Sequence, residues 1–176
     1  SFTYPASTFV PTVYVLDTGL RYYHEEFTGR VKSCVYYTSI ASTCDDYYGH
    51  GTHVTGTVAG TKSGAAKNAN IKFLRLTGNY GSSVSSYYIY DGFSWAIDDH
   101  LSSDPNHQAV LNLSYGGGSA SYTAQTWMAA MTDANIIPVV SAGNDYADSC
   151  YSNFGFGGID PYNLAVSVGA TEYAGT

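Results

Sequence analysis

The stretch TVYVLD, Thr12–Asp17, is apolar and β-branched through its middle and ends in a carboxylate. A strand with one wet face carries a polar side chain at every second position. A run without them reads as a strand covered on both faces. Working outward, the same kind of run recurs as IKFLRL (71–76), AVLNLS (109–114), IIPVVS (136–141) and LAVSVGA (164–170). Helical patterns lie between these runs. HGTHVTGTVAG (50–60) reads as a helix of small residues. Residues 84–100 place Ile89, Phe93 and Ile97 four apart, a single helical stripe, and residues 121–135 read as a further helix. Alternation of this kind implies parallel strands joined by crossover helices. The expected fold is α/β with three layers, a mostly parallel sheet with helices on both faces.

The chain has 176 residues, 44% of them hydrophobic, which suits one domain with a real core. No apolar run reaches the ~20 residues of a membrane helix, so no membrane partner is expected. Charged residues are 12% and the net charge is -7, so nucleic acid is not expected either, because phosphate binding needs clustered Lys and Arg. Low charge with many Tyr, Ser, Gly and Thr points to a secreted, extracellular protein. Of the three cysteines, Cys34 and Cys44 enclose a short polar loop and are expected to pair, which leaves Cys150 over. The chain begins SFTYPASTFV, without a methionine, and stops at GATEYAGT just after a strand. Truncation at both ends is therefore expected.

In open α/β sheets, sites form beyond the carboxyl ends of the strands. Asp17 follows the first strand, SYGGG (114–118) a later one, and SAGND (141–145) the next. Glycines there let another backbone approach closely. The stretch DDYYGHGTHVTGTVAG (45–60) adds two histidines, His50 and His53. As a metal site it is poorly spaced, since zinc helices place histidines four apart with a Glu between. Asp45 and Asp46 are the nearest candidate ligands. As a catalytic base, His50 gains access from Gly49 and Gly51, and Asp17 could hold its second ring nitrogen. Packing of His50 in the core is the third reading. The N-L-S sequon at Asn112 falls in a strand, where glycosylation is not expected.

YVLDTGL (14–20) and GHGTHVTGTVAG (49–60) resemble the aspartate and histidine signatures of the subtilisin-like serine proteases, or subtilases. LNLSYGGG (111–118) and SAGND look like the same family's substrate strand and oxyanion segment, and the order resembles the proteinase K branch. The resemblance implies a subtilisin-like fold and serine-type endopeptidase activity. Asp17 would orient the imidazole, and His50 would be general base and then general acid. His53 would be a packing and hydrogen-bonding residue of the helix, and Asn144 would donate its amide to the oxyanion. Ser114, Tyr115 and Gly116, with Gly81 and Ser82 opposite, would flank an extended peptide.

The resemblance also implies what is not here. The family's nucleophile lies in a G-T-S-M-A type of motif, which this sequence lacks. Residues 1–176 are therefore expected to be part of a catalytic domain, inactive alone, with the serine beyond them. Cys150 would pair with a cysteine in the missing part. No cofactor is implied for catalysis, although a structural calcium near Asn163 and Ala165 is possible in the family. Polypeptide substrates, a propeptide or a protein inhibitor are the implied partners of a monomeric enzyme. The competing reading is a non-catalytic, peptide-binding relative.

Overall fold

The computed structural model describes residues 9–79, 81, 83–116, 122–144, 146 and 164–171. Its described strands are β1 (Thr12–Asp17), β2 (Val31–Tyr36), β3 (Asn70–Arg75), β4 (Ala109–Leu113), β5 (Ile136–Ser141) and β6 (Val166–Val168). They form one sheet in the order β2-β3-β1-β4-β5-β6, and every described pairing is parallel. The described α-helices are α1 (His50–Ala59), α2 (Ser86–Ser103) and α3 (Tyr122–Asp133).

Strand β1 is central, and all six of its residues are buried. Its alternate side chains feed two separate cores. Val13 and Val15 pack with Leu20, Phe27, Ala59, Ile71 and Phe73 on the α1 side. Tyr14 and Leu16 pack with Ile89, Phe93, Leu111 and Met128 on the α2 and α3 side. Two cores, one on each face, make the three layers, and each buried Val or Leu contributes roughly 1.5–3 kcal/mol. The run without polar alternation in β1 is thus the signature of a strand with no wet face.

One strand differs from the sequence reading. Strand β2 had no clear pattern, because it lies at the sheet edge and is only partly buried. The last strand, an apolar run expected to expose an edge and apolar surface in this chain, is β6, a three-residue strand at the end of the described sheet whose Val166 and Val168 are 50% and 52% exposed. The Cys34–Cys44 disulfide is present, with Cα atoms 5.8 Å apart, and ties β2 to the loop that leads to α1. Cys150 and Asn163 lie outside the described residues.

Candidate active site

The parallel sheet brings the carboxyl ends of β1, β4 and β5 to one rim. Asp17 is the last residue of β1 and His50 the first of α1. Their side chains meet, His50 Nδ1 to Asp17 Oδ1 at 2.7 Å. A carboxylate only accepts, so Nδ1 carries the proton and Nε2 keeps its lone pair. The Asp17 side chain is 3% exposed and that of His50 45%, so one partner anchors and the other remains accessible. The hydrogen bond from His50 to Asp17 is the main cause of a raised imidazole pKa. Partial burial opposes it, and the negative charges of Asp17 and Asp46 add to it.

Two glycines make this contact possible, though not as the sequence suggested. Gly49 and Gly51 were expected to unscreen the ring. Gly49 instead turns the chain into the helix at φ 98°, a left-handed conformation that glycine adopts readily. Gly51 is buried against β1, where a Cβ would lie 3.1 Å from the Asp17 Cβ and 3.0 Å from the Phe73 ring. His53, expected to pack, is exposed; its amide donates to the Gly49 carbonyl.

A cleft of about 250 Å³ opens beside this pair, lined also by Ser114, Tyr115 and Asn144. Leu76 and Val84 give it an apolar wall, and the exposed ring of Tyr48 stands at its edge. Ser114 accepts a hydrogen bond from the Asn112 amide at 3.0 Å, and the Tyr115 carbonyl accepts one from Ser141 at 3.3 Å. The second bond ties the end of β5 to the segment beyond β4. Five of the expected site residues, Asp17, His50, Ser114, Tyr115 and Asn144, thus line one cleft. Gly81 and Gly116 are exposed, with open space around their α-carbons, and are not part of its lining. Ser82 lies outside the described residues.

Sequence residues 10–175 match the profile of the Subtilase family. The chain is a subtilase. It is 38% identical over 140 residues to Alkaline protease 1 of Emericella nidulans, covering 80% of this chain and 34% of that protein. It is 36% identical over 172 residues to the extracellular serine proteinase of a Thermus species, covering 97% of this chain and 38% of that protein. This subtilase therefore spans about a third of the length of these curated relatives. Its fold matches the crystal structure of a cold-adapted subtilisin-like serine proteinase with a TM-score of 0.72 and 32% identity, over 92% of this chain and 55% of the other.

Sequence reasoning missed two residues of this subtilase's site. Arg75, the last residue of β3, is fully buried and donates to the carbonyls of Thr43, Asp45, Thr77 and Gly78 at 2.7–3.0 Å. Burial lowers its pKa, with partial relief from Asp46, Tyr47 and Asp45. A cation at the carboxyl end of a mostly apolar strand was the available signal. Asp46 was read only as a possible metal ligand. Its carboxylate is instead occupied by hydrogen bonds from its own loop and α1. Among the described residues, no group of three His, Cys, Asp or Glu side chains could hold a metal ion. Of the two residues named for calcium, only Ala165 is described, and it does not make a site alone.

Proposed function

We propose that this chain is the Asp- and His-bearing part of a secreted serine endopeptidase. Its serine nucleophile comes from sequence outside these 176 residues. The observation that carries the reading is the 2.7 Å contact between His50 and a buried Asp17 at a cleft that also holds Asn144. Asp17 accepts the Nδ1 proton and fixes the tautomer. Nε2 takes the serine Oγ proton as that oxygen attacks the peptide carbonyl, then returns it to the leaving amine. Asn144 donates to the oxygen that becomes negative in the tetrahedral state. An extended peptide lies along residues 114–116 and, on its other side, Gly81 and Ser82. This chemistry needs no cofactor, and a bound calcium would serve the structure alone. The apolar wall of Leu76 and Val84 supports a preference for apolar side chains next to the scissile bond.

Because the base must be neutral, a raised His50 pKa moves activity toward higher pH. The relatives named alkaline and extracellular proteases support that reading and a secreted location. Among the described residues no helix is long and apolar enough to cross a membrane. A monomer that meets a propeptide or a protein inhibitor in the same cleft completes the proposal.

The test is peptidase activity and fluorophosphonate labelling of the protein as its gene encodes it. His50→Ala should lower kcat by ~10⁴–10⁶, the range subtilisin shows when a triad member is lost. His53→Ala should leave kcat within about threefold, since that ring is exposed. Greater damage from His53→Ala would overturn the assignment. Peptide binding without labelling or cleavage would mark a non-catalytic relative.

A further inference from the structure

We propose that Asp46 is a positioning residue for His50, acting through the loop and helix start that it holds together. The inference rests on the reading of His50 as the base, but its evidence is separate. Asp46 is 1% exposed, and its carboxylate accepts five hydrogen bonds. Oδ1 takes the Thr18 hydroxyl at 3.0 Å, the Tyr48 amide at 3.2 Å and the Gly49 amide at 2.8 Å. Oδ2 takes the Thr52 amide at 2.9 Å and the Thr52 hydroxyl at 2.7 Å.

These bonds solve a local problem. Helix α1 begins with amides that have no partner within the helix, and its Gly49 cap has no side chain to offer. Asp46 supplies the Thr52 amide from three residues before the cap. Thr18 supplies the Gly51 amide at 2.9 Å while donating to Asp46, and its own amide donates to Asp17 Oδ1 at 2.7 Å. A closed path therefore runs from Asp17 through Thr18 and Asp46 to the first turn of α1. His50 sits inside that path, at the first helical position. Any loosening of Asp46 moves the helix start relative to β1, and with it the ring relative to Asp17.

The carboxylate also has an electrostatic part. His50 stands at the positive end of a helix dipole, which disfavours the imidazolium formed during general-base catalysis. The charged groups that act on the ring are Asp17 from β1 and Asp46 from the preceding loop, while the Arg75 guanidinium of β3 donates to the Asp45 carbonyl of that loop. Asp46 offsets the dipole at that end. Burial works against its ionisation, but the bonds from Gly49, Thr52 and Thr18 outweigh burial and hold its pKa below the usual carboxylate range.

The experiment uses three variants in the protein as its gene encodes it, and the His50 ring titration by NMR. Asp46→Asn should lower kcat by ~10–100-fold with KM within about threefold, the cost of a misplaced catalytic group. It should also move the acid limb of the kcat/KM profile, and the ring titration of His50, to lower pH, because a negative charge that favours the imidazolium is gone. Thr52→Val keeps that charge and removes the hydroxyl's bond to Asp46, together with the one it accepts from the Arg21 amide, so kcat should fall about three- to tenfold with the limb unmoved. If Asp46→Asn does not fold, Thr52→Val with the ring titration still decides the matter. Asp46→Glu, with the charge kept and the geometry changed, should retain the acid limb and lose kcat. Unchanged kcat in Thr52→Val, or an Asp46→Asn loss that follows its melting temperature with no movement of the His50 titration, would overturn the proposal. A parent protein without His50-dependent cleavage would instead sink the protease reading, and the NMR titration would still report on Asp46.

Discussion

Gly51 is held to glycine by what lies against it. A Cβ there would press into the Gly19 carbonyl and sit within 3.1 Å of both the Asp17 Cβ and the Phe73 ring. A flexible side chain could move away, but a backbone carbonyl cannot. Gly51→Ala should therefore push α1 off the end of β1, at a cost of about 1–3 kcal/mol in overpacking. The same displacement lengthens the His50–Asp17 contact, so kcat of the complete protein should fall ~10²-fold. Urea unfolding of the chain and steady-state kinetics of the complete protein check the two effects. A wild-type unfolding midpoint would show that the helix start yields easily. The sequence marked Gly51 as special by its place beside a histidine. It did not show that the reason is a helix resting on a strand, because that neighbour is more than thirty residues away in the chain.

At the scale of elements, the segment between β2 and α1 decides whether the site assembles. It carries Cys44, Asp45 and Asp46, and three separate devices hold it. The disulfide joins Cys44 to β2, Arg75 grips the carbonyls of Thr43 and Asp45, and the Leu20 amide donates to the Cys44 carbonyl at 3.0 Å. Closing a loop with a sequence separation of 10 restricts the unfolded chain. The double variant Cys34→Ser, Cys44→Ser should lose about 3 kcal/mol on the chain-entropy account. Denaturant midpoints of the oxidised chain and the variant measure this. Non-reducing peptide mapping should find the two cysteine peptides linked, and free thiols at both positions would rule the bond out. The cysteine spacing made this element legible. The strand that carries Cys34 was not, because an edge strand with mixed burial leaves neither an apolar run nor a clean alternation.

For the whole molecule, stability should pass through a maximum in mildly acidic solution. The native pKa of His50 is raised, so its stabilising contribution is complete below the ordinary imidazole value and disappears as pH rises through the higher native one. The native pKa of Asp46 is lowered, so its contribution is complete above the ordinary carboxyl value and disappears as pH falls through the lower native one. Urea unfolding from about pH 3 to about pH 9 should show both flanks. His50→Ala should remove the decline on the neutral side and Asp46→Asn should weaken the acidic one. A neutral-side decline that survives His50→Ala would assign it to another group. The sequence by itself determined the order of the helices and of every described strand except β2, the doubly buried β1 and the polar residues at the strand ends. Those signals are local, since periodicity, apolar runs and glycine placement are set by near neighbours in the chain. Only the tertiary structure decided that Asp17 and His50, 33 residues apart, lie 2.7 Å from each other, and that Asp46 and Arg75 bond the backbone of the loop that leads into α1. Strand order β2-β3-β1-β4-β5-β6 makes those meetings, and a contact between distant residues leaves no periodic trace in either segment.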